Sequence, residues 1–209
     1  MGPSKLGIGL AVALSSVSLG VLARECIIEE TLTVSRPEDL DRFRNGGTTI
    51  TGNIAIHSDY SGDFALEGVT DFVGNISTSE DAPPGNIGVL DLPDLVNAGV
   101  ITVHRVETVN LGNLEHADKL LLGPSSPDGE IELGALKEAD NVGFNGGWKS
   151  IVLTSLETVT GELGFYFARA DGVFSDRDEI PSLVVDLPAL KTTSQFTVEG
   201  KVARLAISI

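Results

Sequence analysis

The chain has 209 residues, of which 42 % are hydrophobic and 21 % are charged. It is long enough to bury the core of one domain and too apolar for a disordered chain. The net charge of −16 at pH 7 repels phosphate backbones, so we expect no nucleic-acid partner. The 24 glycines and an aromatic content of only 5 % favour many short strands joined by tight turns over a helical bundle.

Residues 1–23 predict a cleavable signal peptide. Lys5 supplies a positive charge, and residues 6–22 carry no charge. Residues 21–23 (Val-Leu-Ala) suit a peptidase cleavage site, so we expect a secreted mature chain that begins near Arg24. Loss of Lys5 changes the net charge from −16 to −17. An uncleaved membrane anchor is the alternative, for which the apolar run is marginal because a membrane span needs about 20 residues.

A recurring Leu-x-x-Leu element indicates a repeat protein. The second leucines, at positions 95, 114, 136, 156 and 190, lie 19, 22, 20 and 34 residues apart, and the last interval contains an insertion. About eight residues after each second leucine comes the centre of a short apolar strand. Each repeat therefore combines a strand with a turn whose leucines point inward, and stacking of the repeats makes the core continuous. The leucine pairs are Leu92 and Leu95, Leu111 and Leu114, Leu133 and Leu136, Leu153 and Leu156, and Leu187 and Leu190.

Individual strands are also visible as alternating or β-branched stretches. Residues 50–56 and 205–209 alternate with period two, and residues 100–103 and 150–153 are β-branched runs. We therefore predict an all-β solenoid that forms one domain over residues 24–209.

One helix and three loops are predicted in addition. Residues 36–43 predict a short capping helix over the N-terminal end of the solenoid, with Ser35 as its cap. Loop composition occurs at residues 77–86, 123–129 and 168–181.

Several short motifs follow one another in a fixed order after Cys26. They are Thr31-Leu32-Thr33-Val34, Asp39-Leu40-Asp41, Thr49-Ile50-Thr51-Gly52-Asn53-Ile54-Ala55-Ile56, Leu66-Glu67-Gly68-Val69, Val73-Gly74-Asn75-Ile76, Leu92-Pro93-Asp94-Leu95 and Thr160-Gly161-Glu162-Leu163. This series resembles the fungal GPI-anchored cell-wall organisation proteins of the extracellular-mutant and sporulation-specific type, whose repeats are similar to the receptor L-domains of growth-factor receptors. The resemblance covers the rhythm of the whole mature chain and is sharpest over residues 26–76.

The resemblance implies a right-handed β-solenoid of leucine-rich-type receptor L-domain repeats, placed in the cell wall or at the outer face of the plasma membrane. It also implies a role in wall architecture without enzymatic chemistry. No catalytic residue and no cofactor follow from it. The partners that it implies are a cell-wall polysaccharide or a cell-surface protein.

Two departures from the family pattern affect attachment and assembly. Residues 45–47 (Asn-Gly-Gly) stand where the family has a second cysteine, so Cys26 lacks its expected partner. A lone cysteine in a secreted chain predicts an intermolecular disulfide or an unpaired thiol. The chain ends at residues 207–209 without the stalk and hydrophobic tail of a GPI signal, which indicates either a freely secreted paralogue or an incomplete sequence. A terminal strand also has an open edge, so we consider an edge-strand or Cys26-linked dimer.

The remaining polar candidates are a glycosylation sequon, three histidines and an acidic loop. The sequon predicts a glycan on Asn75. His57, His104 and His116 lack metal-ligand spacing and are expected as exposed turn residues. A solvated insertion is favoured over a weak calcium site for the acidic loop, because the calcium-loop pattern is absent. Its acids are Asp171, Asp176, Asp178 and Glu179.

The aromatic residues are candidates for stacking on sugar rings, although core packing is the favoured interpretation. Phe165 and Phe167 share one side of a strand and are predicted in the core, whereas Tyr166 points to the other side. Trp148 follows a Gly-Gly pair and is expected to cap a coil or to contact a ligand.

The leading functional hypothesis is a non-enzymatic, secreted protein that contributes to fungal cell-wall organisation. The alternative is a secreted binding module that recognises a glycan or a peptide on a face of the solenoid. A third hypothesis, an enzyme that acts on wall polysaccharide, requires two carboxyl groups about 5 to 9.5 Å apart. With 30 acidic residues in the chain, such proximity alone has little diagnostic value.

Overall fold

The short apolar stretches of the sequence form strands that stack in parallel, and the predicted all-β solenoid is confirmed, with about six turns. The computed structural model describes residues 25–43, 48–78, 86–124, 128–166, 183–199 and 202–207. The strands in these ranges are β1 Glu25–Ile27, β2 Leu32–Val34, β3 Thr49–Thr51, β4 Ile54–Ile56, β5 Ser61–Ala65, β6 Asp71–Thr78, β7 Asn86–Asp91, β8 Asn97–Asn110, β9 His116–Pro124, β10 Glu130–Glu132, β11 Glu138–Asn145, β12 Ser150–Val152, β13 Thr158–Tyr166, β14 Leu183–Leu187, β15 Thr192–Glu199 and β16 Val202–Ile207.

The strands of successive coils form three faces of the solenoid. Face A consists of β1, β3 and the first residues of β6, β8, β9, β11, β13 and β15. Face B consists of β2, β4 and the later residues of the same long strands. Face C consists of β5, β7, the end of β8, β10 and β12, and is followed by β14 and β16, which pair with each other. All of these pairs are parallel, so every coil repeats the path of the previous one.

The Leu-x-x-Leu elements form the turns that lead from face C to face A. In each turn the second leucine donates its backbone N–H to the carbonyl of the first, as in Leu95 to Leu92 at 3.2 Å and Leu114 to Leu111 at 3.0 Å. The N–H of Leu92 also donates to Asn110 O of the next coil at 3.0 Å. These leucines are buried, which confirms the predicted inward-facing turns.

The predicted spacing of eight residues between turn and strand centre holds where Leu95 leads to Val103, but it fails after Leu156. There the residue in the same row as Val103 is Phe165, nine residues away, and not Gly164. The extra residue is accommodated by a register shift against β11, between the pairs Ala139–Val159 and Val142–Leu163. The core row therefore stays aligned although the sequence spacing changes.

The prediction of one continuous strand over residues 50–56 is wrong. The chain turns at Gly52, where φ is +127°, and β3 and β4 are separate strands on faces A and B. One coil later Gly74 has φ +138° at the same corner. Asn53 Oδ1 accepts the backbone N–H of Asn75 there at 3.1 Å. The alternating sequence does not indicate this corner, because the glycine permits a turn with positive φ and the apolar periodicity continues on both sides of it.

The predicted N-terminal helix over residues 36–43 is a 3₁₀-helix at Pro37–Phe43. The prediction that the side chain of Ser35 caps this helix is wrong. Asp39 Oδ2 instead accepts the backbone N–H groups of Ser35 and Arg36 at 2.9 and 3.1 Å. These bonds come first among the causes that hold the pKa of the Asp39 carboxyl below its ordinary value.

The helix packs on the edge of face C. Leu40 and Phe43 are buried in the core. Pro37 lies against Gly62 of β5, a strand that pairs only with β7 within the described residues. The helix therefore packs against β5, the first strand of face C.

Two predicted loops are shorter than expected, because strand pairing continues into them. Ser77 and Thr78 belong to β6, Asn86 begins β7, and Gly123 and Pro124 end β9. These residues pair with neighbouring coils, and this inter-coil hydrogen bonding outweighs their turn-like composition. Both loops fall at the passage from face B to face C, and insertions in solenoids often map to one side in this way.

Several predictions concern residues outside the described ranges. They are the signal peptide at 1–23, residues 45–47, the acidic insertion at 168–181 with Phe167, and the chain end at 208–209. Among the described residues, no helix is long and apolar enough to cross a membrane.

We predict that Gly74→Ala destabilises the solenoid by about 2–4 kcal/mol, because a Cβ at Gly74 would overlap the carbonyl oxygen of Gly52. Gly68 is the matched control, since its φ is +75° and a Cβ there meets no atom within 4 Å. Gly68→Ala is expected to cost about 1 kcal/mol of backbone strain alone. Urea unfolding followed by circular dichroism measures both, and equal losses would contradict the steric explanation.

Candidate functional site

A shallow groove of about 430 Å³ lies on face A. Its floor contains Ala98, Ala117 and Ala139, which occupy the inward row where earlier coils have Ile50 and Phe72. The groove runs between the outward side chains that flank this row. Its other lining residues are polar: Asn97, His116, Asp118, Glu138, Asp140, Thr158 and Thr160.

His116 is the central basic residue of the groove. Its Nδ1 lies 3.6 Å from Glu138 Oε2, and its Nε2 lies 3.9 Å from Glu115 Oε2. Both contacts become ion pairs when the imidazole is protonated. Glu115 also accepts a hydrogen bond from Lys137 Nζ at 2.7 Å, and this bond with the lysine charge lowers the pKa of the Glu115 carboxyl.

The carboxylates of the groove are exposed. Asp118, Glu138 and Asp140 all lie at the surface, and Asp140 Oδ1 accepts a hydrogen bond from Thr160 Oγ1 at 2.7 Å. No group of three or more His, Cys, Asp or Glu side chains in the described ranges is arranged to hold a metal ion. The groove is therefore suited to ligands that carry positive charge or donate hydrogen bonds.

A second polar cluster lies on the outer side of face B, around Tyr166. The phenol donates a short hydrogen bond to Glu162 Oε1. The same oxygen accepts Thr197 Oγ1 at 2.7 Å and Gln195 Nε2 at 3.3 Å. The cluster therefore connects β13 to β15, the next strand on this face.

The Tyr166 ring covers the sheet because glycines lie beneath it. A Cβ on Gly164 would overlap the ring, and a Cβ on Gly143 would lie 3.8 Å from Tyr166 Cε2. Burial and the hydrogen bond to Glu162 raise the pKa of Tyr166 to about 12. The hydrogen bonds from Tyr166 and Thr197 lower the pKa of the Glu162 carboxyl. The neutral phenol and the charged carboxylate are thus the stable pair.

The structure separates the three histidines. His57 Nδ1 accepts the backbone N–H of Asp59 at 3.1 Å. The backbone N–H of His104 donates to Thr78 Oγ1 at 3.1 Å. Only His116 lines the groove.

The predicted disulfide residue, Cys26, and the predicted glycosylation residue, Asn75, lie two coils apart, on β1 and β6. Asn75 is exposed on β6 at the corner between faces A and B, which leaves room for a glycan. Cys26 is half-buried in β1, opposite Ile50 in the adjacent strand, and is a free thiol in this structure. A disulfide between two copies through Cys26 therefore stays a prediction.

The favoured core positions of the aromatic residues are confirmed for Phe165 and Trp148. Phe165 is buried and stacks on Phe144 with ring centroids 5.3 Å apart. Trp148 is also fully buried, and among the described residues its indole N–H has no hydrogen-bond partner. Tyr166 faces the other way, as predicted, and is partly exposed.

Sequence reasoning identified neither the groove nor the polar partners of Tyr166. A usable signal was present in two hydrophobic-Gly-hydrophobic triplets, Val142-Gly143-Phe144 and Leu163-Gly164-Phe165. A glycine at an outward position of a strand marks a place where another group approaches the backbone closely. At Gly164 that group is the Tyr166 ring, and at Gly143 it is the side chain of Leu121.

Comparisons of this chain with protein-family models, with curated proteins and with solved structures give no match.

We predict that Tyr166 ionises near pH 12 in the folded protein. The chain has two tyrosines, and burial raises the pKa of Tyr60 as well, so a Tyr60→Phe background isolates Tyr166. Phenolate absorbance measures the titration. Because the folded-state pKa is the higher one, the contribution of Tyr166 to stability is complete below about pH 10 and is lost as the pH rises to about 12.

Glu162→Gln tests whether the carboxylate of Glu162 contributes to the raised pKa of Tyr166. It removes the carboxylate charge and is expected to lower the Tyr166 pKa towards 10, its ordinary value. A Tyr166 titration at the ordinary value in the Tyr60→Phe background would contradict the hydrogen-bonded arrangement.

Proposed function

We propose that this chain is a non-enzymatic, secreted protein of the cell surface that contributes to fungal cell-wall organisation. One observation carries the proposal: outward lysine side chains donate hydrogen bonds to glutamates of the neighbouring coil, and this repeats along the stack. Lys137 bonds to Glu115 at 2.7 Å, Lys191 to Glu157 at 2.6 Å and Lys149 to Glu130 at 2.7 Å. The charged residues thus form a polar coat over a continuous apolar core, which suits a persistent structural element.

The burial pattern supports the same proposal. In the described ranges the buried polar or charged side chain is that of Thr78 alone, whereas the carboxylates lie where water reaches them. Catalytic carboxyl pairs commonly depend on partial burial to separate their pKa values. The exposed sequon at Asn75 is compatible with the proposed secretion and with a glycan at the wall.

We predict that deletion of the gene in the producing organism increases sensitivity to dyes that bind wall polysaccharides. The physical reason is the loss of a polar rod from the wall. Growth on plates with such a dye and cell morphology are the measurements. Re-expression of the full chain is expected to restore resistance, whereas Gly74→Ala, with its corner overlap, is expected to restore less.

Normal wall-stress sensitivity and normal morphology of the deletion strain would contradict the wall role. The secreted protein from the complemented strain supplies a second readout. Its intact mass is expected to correspond to cleavage before Arg24 with a glycan on Asn75, and the Asn75→Gln variant serves as the unglycosylated control.

The groove on face A favours the alternative, a secreted binding module that recognises a peptide or a glycan. Asp118, Glu138 and Asp140 give the groove a negative potential, to which a basic peptide is complementary. This alternative and the wall role are compatible, because a structural protein of the wall requires contacts with its surroundings.

We predict that the groove binds hexalysine and that the affinity falls steeply with added salt. The Asp118→Asn/Asp140→Asn double variant is expected to bind about tenfold less tightly because it removes two charges from the groove. Glu67→Gln removes an exposed charge outside the groove and is the matched control. Calorimetric titration measures the affinities, and an equal loss in the double variant and the control would contradict a groove-specific site.

A further inference from the structure

The side chain of Tyr166 is held in a fixed place on an outer face of the solenoid. Most exposed aromatic side chains rotate freely, but here the hydroxyl is bonded to Glu162 and the ring lies over Gly164. Gly164 is buried although its side of the strand faces outward, because the ring covers it. The ring itself is partly exposed. A preorganised aromatic surface of this kind loses little conformational entropy when a ligand stacks on it.

Hydrogen-bond acceptors remain beside the ring. All three bonds to Glu162 end on Oε1, so its other carboxylate oxygen takes no part in them. Gln195 uses the side-chain atom Nε2 for its bonds to Glu162 and Thr197. These bonds leave the oxygen of the same side-chain amide as an acceptor. Gln195 is exposed. Two acceptor oxygens from adjacent strands therefore lie around one aromatic ring.

The outward row of Gly164 continues on the preceding coils with a glycine and a leucine. Gly143 stands in the row next to Gly164, and a Cβ there would lie 2.8 Å from Leu121 Cδ1 and 3.8 Å from the Tyr166 ring. Leu121 is partly exposed. The outer side of face B thus has a strip formed by an aliphatic side chain, a bare backbone and an aromatic ring, with acceptors at one end.

The ligand class follows from this combination. A pyranose ring with equatorial substituents has a flat C–H face that stacks on an aromatic ring and hydroxyls at its rim that donate to acceptors. A chain of β-1,4-linked units of this type is itself flat. We propose that Tyr166, Glu162 and Gln195 form a subsite for one pyranose unit of a β-1,4-linked glucose-type oligosaccharide. The subsite rests on the binding alternative given above and concerns a surface other than the groove.

Titration of the full secreted chain with cellohexaose and with chitohexaose tests the subsite. Tyr166→Ala is expected to weaken binding about fivefold to tenfold, through loss of the stacking surface. Tyr166→Phe keeps the ring and loses the bond to Glu162, so it is expected to lose less. Gln195→Ala removes one acceptor from the exposed end and is expected to weaken binding without affecting the fold, which a melting curve checks.

Saturation-transfer NMR supplies a readout that a purely structural role of Tyr166 would not change. Signals on the ring C–H protons of the sugar, lost in Tyr166→Ala, support stacking. Thr33→Ala, an exposed residue on face B in the first coil, is the control. Three results would overturn the proposal. The first is that neither oligosaccharide binds, and the second is that the Tyr166 and Thr33 variants bind with equal affinity. The third is that tetramethylammonium displaces the sugar as the better ligand. Titration of the groove with hexalysine tests the binding alternative separately, so a failure of the subsite and a failure of that alternative are distinguishable.

Discussion

The structure depends on one constraint, the registered stacking of each coil on the previous one. Parallel strands are about 4.8 Å apart, so every inward side chain must fit over its equivalent in the next coil. The row that runs from Val103 through Leu122 and Phe144 to Phe165 satisfies this condition with apolar residues of different size. No coil can bury these side chains by itself, so the core exists only as a property of the stack. Loops and corners are tolerated wherever they leave this register intact.

The same spacing acts on the outside of the molecule. Like charges directly opposite each other on adjacent strands are destabilising, and a chain with a net charge of −16 has many carboxylates to place. The chain meets this problem by placing a donor beside a carboxylate. Asn110 donates to Asp91 at 2.6 Å, and Asn97 donates to Asp71 at 2.7 Å. Each exposed contact is weak, but together they allow an acidic surface to coexist with close stacking.

The repeated features of the fold were predictable from the sequence because they are local and recur. The Leu-x-x-Leu turns need only four residues, and their recurrence indicated the stacking. The corner at Gly52 was not predictable from periodicity, because Ile50, Ile54 and Ile56 keep an alternating pattern on both sides of it. Apolar periodicity reports which side chains point inward and is insensitive to a change of face between them.

The surface features depend on contacts between coils, which no local pattern contains. Glu162 and Gln195 are separated by 33 residues, and an insertion lies between them in the sequence. The alanine floor of the groove is likewise built from three different coils. The sequence around Ala117 alone therefore does not indicate that this residue lines a groove. The outward position of Tyr166 was therefore predictable from its strand, whereas its hydrogen-bond partners were not. A sequence-based search for such sites needs the coil register first and side-chain chemistry second.

The inter-coil hydrogen bonds run along the axis of the solenoid, and this direction has a mechanical consequence. Tension applied to the two ends of the stack loads the ladder of the outermost coil first, so coils detach one after another at low force. Tension applied across the axis loads the bonds of several coils together in shear. The bonds from Lys137 N to Glu115 O and from Lys191 N to Glu157 O, at 2.9 and 2.8 Å, belong to this ladder. We therefore expect the stack to yield more readily to tension along its axis than to tension across it.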